Sequence, residues 1–521
     1  MVLAVLCSAV FVVNVSTTIV NIALPSLVTD LGASTRELLW IVDAFNLAFA
    51  TLVLAAGSLS DRFGRRRFLI GGLALFLVSS VAGAWSQEPD TLIAWRALGG
   101  VAAAVVYPVT LSILTNVFTE RTERVKAIGL WGAATGMSVA VGPVVGGALL
   151  ETFWWGSILL FLGAAALVTL VAACWVVPDS RDPATPPLDV GGLLLSMIAL
   201  GVLVYTIIEA PDHGWASAPT ITGFVLALVA LAVFAAKEFR TRYPMLDVRL
   251  FGNLRFTAAS GAITAAFFAL FGFIFLVTQY FQFVRDYGAL ETGVRMLPVA
   301  GTIAVSSLIG PRLAVRVGSK VVVALGLLSL SAGFVWAATM GVGTGYHEIV
   351  GTMIFLGTGM GLTSAPATEA IMGVVSPDKA GMGSAVNDAT RELGGTLGVA
   401  VIGSIALSVY RDRLDSAQIP EPVAEPARES VGAALEISRA AGATLGDAAT
   451  GLAEAARSGF MDGFSTGCLV AGAVTAVAAV LTLIYLPAHP GEPASKSGPH
   501  GVAQAPAPAD RIGSRGNGPD V

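Results

Sequence analysis

Charge is scarce in this sequence. Only 12% of its 521 residues are Asp, Glu, Lys or Arg, about half the share that a soluble globular chain carries, and so few cannot coat a water-facing surface. Cysteine is nearly absent: Cys7, Cys174 and Cys468 stand far apart in apolar stretches, which excludes a disulfide framework and leaves them as packing residues. The four histidines, His213, His347, His489 and His500, all fall in polar connections, in the terminal tail or at the edge of an apolar run. None of the five lysines closes a GxxxxGK[ST] loop, HExxH does not occur, and the one GxSxG match, Gly463–Gly467, lies inside an apolar run rather than at a strand-to-helix turn. A Walker-type ATP site is thereby excluded, and a hydrolase or zinc site has no support. The net charge of −5 is too mild to argue for a nucleic-acid partner.

What the chain has in abundance is apolar sequence: 55% hydrophobic residues and a mean hydropathy of +0.78. A helix needs about 20 apolar residues to cross a bilayer. Fourteen such runs are legible, at 2–24, 38–57, 68–86, 92–117, 126–150, 155–177, 189–209, 219–236, 256–283, 294–313, 320–341, 347–372, 384–410 and 463–486. The first reads as a span rather than a removable leader, because no cationic stretch precedes it and it is long and polar at its end. The expected fold class is therefore all-α and polytopic, in a plasma (inner) membrane.

Basic residues give the orientation. With the N-terminus on the cytoplasmic side, twenty Lys and Arg fall inside and eight outside, while Arg96 and Arg391 lie within runs. Both termini are thus expected in the cytoplasm. The organisation reads as 6+2+6: residues 1–186 a first six-helix bundle, 187–255 a two-helix insertion with a basic linker, and 256–486 a second bundle. An outer loop at 411–461, with short amphipathic helices at 427–440 and 443–458, interrupts that second bundle, and 487–521 forms a Pro/Gly/Ala-rich disordered tail. A weak internal repeat supports equivalent halves. The stretch from Gly57 through Asp61, Arg62, Gly64 and Arg65 to Arg67 has a degenerate echo in Pro311–Lys320, each after the second helix of its half. Paired bundles around a midplane site are a common transporter plan.

In the first of these stretches, Gly57-Ser-Leu-Ser-Asp61-Arg62-Phe-Gly64-Arg65-Arg66-Arg67, the glycines permit a tight turn and the arginines suit an anionic membrane surface. Asp61 can pair with a nearby guanidinium or face a helix N-terminus. In the fifth run, Gly142-Pro143-Val-Val-Gly146-Gly147 strips side chains from a helix face so that a neighbour can approach closely, and Pro143 removes a backbone hydrogen bond.

With these motifs the chain resembles the major facilitator superfamily, and within it the 14-helix drug:proton antiporters of the EmrB/QacA group. Thr18-Ile-Val-Asn21-Ile-Ala-Leu-Pro25, Trp40-Ile-Val-Asp43-Ala-Phe-Asn46, Arg96-Ala-Leu-Gly99-Gly100 and Gly383-Ser-Ala-Val-Asn387-Asp388-Ala-Thr-Arg391-Glu392-Leu-Gly394-Gly395 are all similar to that group's patterns. The resemblance implies alternating access, export in exchange for protons, a gating role for the Gly57–Arg67 loop, an exporter's helix-5 motif and a link between Arg96 and proton coupling. It also exposes two departures. Gly99 stands where the family usually has Gln, and Ser16 stands where it usually has Asp.

With no intramembrane histidine, protons must be carried by carboxylates. The candidates are Glu392, Asp388, Asp43 and Glu369, with Arg96 linked to coupling. Glu392 and Asp388 are spaced i,i+4 on one helix face, and Arg391 is placed to neutralise Asp388. Asp43 also reads as a solvated interfacial residue, and Arg96 as one that snorkels to the outer surface. Ser16, Asn21, Asn46, Asn387, Gln279 and Gln282 are candidates for lining a cavity, together with Phe271, Phe275, Tyr280 and Phe283, for which plain packing is the commoner role. The expected function is a proton-coupled multidrug or natural-product efflux transporter, conferring antibiotic resistance. It would work with no cofactor, metal or ATP and no enzymatic activity, and its partners would be a small amphipathic substrate, protons and the bilayer. A lipid or metabolite exporter, an uptake symporter and a transport-inactive sensor are the alternatives.

Overall fold

The computed structural model describes residues 1–180, 189–242, 244, 246–374, 380–416, 421–440 and 447–487. Among the described residues there is no strand. The first bundle comprises α1 (Val2–Leu31), α2 (Thr35–Phe63), α3 (Arg65–Ala84), α4 (Pro89–Val117), α5 (Arg121–Leu150) and α6 (Ser157–Val176). The insertion is α7 (Val190–His213) and α8 (Ala218–Arg240). The second bundle comprises α9 (Leu254–Gln279, prolonged by a wide turn at Tyr280–Val284), α10 (Ala289–Arg295), α11 (Leu297–Val317), α12 (Ser319–Ala337), α13 (Tyr346–Met372), α14 (Ala380–Asp415), α15 (Glu421–Glu429), α16 (Val431–Ala440) and α17 (Asp447–Tyr485). These give fourteen apolar spans when α10 and α11 count as one and α2, bent by 53° between Val53 and Ala55, counts as one.

Local chemistry fixes many of the ends. Ser34 caps α2 with a capping box, accepting from the Glu37 amide while Glu37 accepts from the Ser34 backbone. Asp189 and Ser217 cap α7 and α8 in the same sense, each accepting from an amide of the first turn. The suspected repeat is structural: α2 passes to α3 through Gly64 at φ 115°, and α11 passes to α12 through Gly318 at φ 88°. Only glycine holds such a φ without strain, so one hinge chemistry recurs at the matching place in each half.

The end of the bundle that carries the Gly64 and Gly318 turns is here the basic face; the opposite end is the far face. Contacts between the halves concentrate toward the far face. A Cβ on Gly147 of α5 would lie 2.5 Å from the Ala289 carbonyl oxygen of α10, and one on Gly293 would lie 2.3 Å from the Pro143 carbonyl oxygen. Leu39 of α2 fills the space in front of Gly403 of α14, and Gln282 donates to the Ile22 carbonyl of α1 at 3.0 Å. Toward the basic face, by contrast, Gly129, Gly132 and Gly136 of α5 have no neighbouring atom within 4 Å of a Cβ position. The seam is closed at the far face and loosened toward the basic face.

One expectation about the periphery changes. The second amphipathic stretch, 443–458, is no separate helix: from Asp447 onward it is the first half of the last span. Gly459, Gly463 and Gly467 face α14 and α9 so closely that a Cβ on Gly463 would lie 2.5 Å from the Ala406 carbonyl oxygen. That close packing carries the helix beyond the apolar run. The insertion also carries ion pairs at the far face. Arg36 of α2 pairs with Glu209 at 3.1 Å and Asp212 at 3.3 Å, and Asp212 also pairs with Arg411 of α14. The Trp215 indole donates to the Ser408 hydroxyl. The end of α7 therefore ties both halves together at the far face. The Arg181 and Lys379 loops and the tail beyond residue 487 lie outside the described residues.

Candidate functional site

The polar residues expected inside the membrane separate into three groups. On α14, Asn387 and Arg391 face hydroxyls that the apolar reading of α13 passed over, while Asp388 and Glu392 share the neighbouring face. Thr368 donates to the Asn387 carbonyl oxygen at 3.1 Å, and the Arg391 guanidinium donates to Thr368 at 3.2 Å and to Ser364 at 3.5 Å. It also lies 5.4 Å from the Phe267 ring centroid of α9. Arg391 does not form the expected ion pair with Asp388, since it turns to α13; Asp388 instead accepts from the Asn387 amide at 3.4 Å. Glu392 is half-buried, and its Oε2 is shut off from water with no hydrogen-bond partner. The i,i+4 hydroxyl pair Ser364 and Thr368 is the signal that sequence reading passed over.

The second group lies on α2 across the seam. Asp43 and Asn46 are both fully buried, and among the described residues neither carboxylate oxygen of Asp43 and neither amide atom of Asn46 has a hydrogen-bond partner. The reading of Asp43 as solvated is thus corrected. Leu39, Asp43 and Asn46 follow i, i+4, i+7 and share one helix face, the face that Leu39 sets against Gly403. Glu392, Thr396, Val399 and Gly403 line the matching face of antiparallel α14. From the Leu39–Gly403 contact, Asp43 lies four residues along α2 and Glu392 eleven along α14. At 1.5 Å rise per residue the two carboxylates are roughly 10 Å apart along the seam. Tyr107 of α4 comes within electrostatic reach of Asp388, Arg391 and Glu392. It packs in an aromatic cluster with Phe49 at 5.6 Å and Trp131 at 5.2 Å. Sequence reading missed this cluster, because its members come from three runs.

The third group centres on Arg96, which is 5% exposed and does not snorkel. Its Nε donates to the Ile41 carbonyl at 3.1 Å, its Nη1 donates to the Ser16 hydroxyl at 2.9 Å, and its guanidinium lies 4.3 Å from the Phe45 ring centroid. Insertion scales put an unpaired Arg at mid-membrane at about 2.5–3.5 kcal/mol, part of which these neutral partners and the ring offset. Ser16, expected to line a cavity, is a hydrogen-bond partner of Arg96.

Other candidates move out of the site. Glu369 is exposed in the last turn of α13, because that helix ends only three residues later, and it joins no buried cluster. The Gln279 amide donates to the Phe275 carbonyl of its own helix, and Gln282 clasps α1 rather than lining a cavity. Asn21 donates to the Thr17 carbonyl and leaves its Oδ1 buried without a partner. Tyr280 donates to the Gly341 carbonyl and packs on Phe281 and Phe464, and Phe275 is fully buried; these are core residues of the second bundle.

The residues expected to act in gating lie at the α2–α3 turn and on α5. Asp61 pairs with Arg65 at 2.6 Å, one turn on. The Arg65 amide donates to the Ser180 carbonyl, and Arg66 donates to the Cys174 carbonyl, so the turn is docked on the end of α6. Arg62 lies over Phe63, and Gly57 meets Pro108 of α4. In α5 the glycines serve two faces: Gly142 and Gly146 accommodate Thr18 and Ile19 of α1, whereas Gly147 meets α10 across the seam.

The family model described as Major Facilitator Superfamily matches residues 6–399. The chain belongs to the Major Facilitator Superfamily. Among its relatives, the multidrug efflux pump LfrA of Mycolicibacterium smegmatis is 33% identical over 488 residues, 93% of this chain and 95% of that protein. The tetracenomycin C resistance and export protein of Streptomyces glaucescens is 30% identical over 497 residues, covering 94% and 92%. The methyl viologen resistance protein SmvA of Salmonella typhimurium is 33% identical over 478 residues, covering 90% and 94%. A bacterial homolog of the human lysosomal transporter Spinster, solved in an inward-facing and unoccupied conformation, shares the fold with a TM-score of 0.66 at 16% identity. That match covers 92% of this chain and 97% of that one. With fourteen spans and bacterial relatives of this kind, the protein is a multi-pass membrane transporter of the superfamily.

Proposed function

We propose that this superfamily member is a drug efflux transporter that exports amphipathic drugs or natural products in exchange for protons, by alternating access. The basic face would lie in the cytoplasm and the far face outside. Its full-length relatives bear the names of multidrug efflux, tetracenomycin C export and methyl viologen resistance proteins. The observation that carries the coupling is the pair of carboxyl groups on the seam, Asp43 and Glu392, each with a buried oxygen that no donor among the described residues reaches. A carboxylate ion without partners in an apolar seam is far costlier than the neutral acid, so movement of the seam is tied to loading and release of a proton. Arg391, fixed by Ser364 and Thr368, keeps the Asp388–Glu392 stretch from carrying an uncompensated negative charge. The Phe49–Tyr107–Trp131 cluster opposite supplies an apolar surface for a flat substrate. The charge asymmetry of the loops supports the orientation.

Reconstitution into proteoliposomes under an imposed pH gradient tests the reading. Substrate should move against an oppositely directed proton gradient. Movement in the same direction as protons would make the protein a symporter, and no gradient-driven movement of any compound in a drug panel would sink the proposal.

A further inference from the structure

A second pair of buried carboxyl groups lies away from the seam, at the basic-face end of the insertion. Asp189 caps α7 there, and Glu238 stands in the last turn of α8. The Glu238 side chain is 0% exposed and that of Asp189 7%. Two of their four oxygens are well served. Asp189 Oδ1 accepts from the Gly192 amide at 2.8 Å and from the Lys237 ammonium, and Glu238 Oε2 accepts from the Leu246 amide at 2.8 Å. The other two, Asp189 Oδ2 and Glu238 Oε1, are shut off from water with no hydrogen-bond partner among the described residues. They converge on one spot. A Cβ on Gly192 would lie 2.2 Å from Glu238 Oε1 and 3.0 Å from Asp189 Oδ2, and the two carboxyl groups are in hydrogen-bonding contact with each other.

One cation faces this pair. The Lys237 ammonium donates to Asp189 Oδ1 and stays 4.0 Å from Glu238 Oε1, too far for a hydrogen bond. Among the described residues neither carboxyl has another ion-pair partner. Arg240, further along α8, is exposed. In the linker that follows, Asp247 accepts from the Arg249 amide and the Arg249 guanidinium donates to the Phe239 carbonyl, so both are turned to other partners. Two carboxylates against one ammonium would leave a buried negative charge without compensation, and would press together two oxygens with no hydrogen between them.

We propose that Asp189 and Glu238 form a proton-binding site, separate from the carboxyl groups of the seam, in which a single proton bridges Glu238 Oε1 and Asp189 Oδ2. Placed on Oε1 and donated to Oδ2, that proton satisfies both orphaned oxygens at once. It also makes the cluster neutral, with Asp189 and Lys237 ionised and Glu238 an uncharged acid. The site has a mechanical consequence, because Glu238 holds the linker through the Leu246 amide, and the linker leads into α9. As pH rises, the proton leaves to water at the basic face and the two carboxylates repel. Glu238 then turns away and Leu246 loses its acceptor. The tether between α8 and the linker is therefore present on the acid side of this titration and lost as pH rises through it.

The experiment is infrared spectroscopy of the purified full-length protein in nanodiscs, where a protonated carboxyl absorbs apart from a carboxylate. Glu238→Gln copies the neutral acid, since its amide can both donate to Asp189 and accept from Leu246, so the fold should be kept. It should remove one carboxylic-acid band from the spectrum at neutral pH. Asp189→Asn keeps the helix cap and offers Glu238 an amide donor in place of the shared proton. Glu238 should then ionise, and the same band should vanish although its carboxyl group remains. Amide exchange at Leu246, corrected for the intrinsic effect of pH, is the second readout. From neutral to alkaline pH it should speed up at least tenfold in the wild type and stay level in Glu238→Gln. Loss of carboxylate absorption alone in Glu238→Gln would overturn the proposal in favour of two ionised groups around Lys237. A band that survives Asp189→Asn would overturn the bridge and leave Glu238 protonated by burial. Equal acceleration of Leu246 exchange in both proteins would overturn the tether.

Discussion

Closure of the far face depends on glycine at two points of contact, and adding one methyl group there should open it. In Gly293→Ala the new Cβ would stand 2.3 Å from the Pro143 carbonyl oxygen and 2.7 Å from its carbon. Both distances fall to backbone of α5, so no side chain can rotate aside. Ordinary contact would require α10 and α5 to part by about 1 Å. Overpacking of this kind costs roughly 1–3 kcal/mol, and the penalty applies only to the state with the far face closed. It should therefore shift the closed-to-open ratio by about 5- to 150-fold. Spin labels at positions 90 and 348, exposed at the far ends of α4 and α13, report the separation of the halves by pulsed electron resonance in a background without native cysteines. The variant should shift the distance distribution toward longer values and slow transport. Gly301→Ala is the control, because nothing lies within 4 Å of that Cβ position. It adds the same helix preference without the clash and should match the parent. Identical distributions for Gly293→Ala and Gly301→Ala would refute the view that this contact sets the closed state.

Glu392→Gln should still allow substrate exchange while a pH gradient no longer drives accumulation; retained gradient-driven uptake into inverted vesicles would move the proton site to Asp43. Asp43→Asn removes a buried unpartnered carboxyl without changing its size, so it should raise thermal stability by about 1 kcal/mol or more while impairing coupling, and a loss of stability would show that Asp43 has a partner. Asp212→Asn breaks the link from Arg36 to Arg411; since each exposed pair is worth about 0.2–1 kcal/mol, far-face opening should rise only a few-fold, measured with the same spin labels. Asp61→Asn should reduce transport with normal membrane insertion, because Arg65 loses its partner while its backbone remains docked on Ser180; wild-type rates at equal expression would leave that loop a topological role only.

How far the sequence reached depends on whether a property is local or shared between segments. The spans are local: an apolar run must become a helix in a bilayer, since no water is there to satisfy its backbone, and all fourteen were legible. The repeat of the Gly64 turn at Gly318 was legible for the same reason, as a φ that glycine alone tolerates is written in one residue. The candidate carboxylates were visible as residues out of place in apolar runs. Their surroundings were not, because burial and pairing are set by helices distant in sequence. Asp43 near the end of a run gave no sign that α14 covers it, and Arg391 three residues from Asp388 gave no sign that Thr368 and Ser364 would draw it to α13. Nor did Ser16 and Arg96, eighty residues apart, announce that they would touch. Helical periodicity states which residues share a face; only the packing of the seam decided what each face meets, because a side chain's partner in a bundle is fixed by where neighbouring helices cross and by which glycines let them come close.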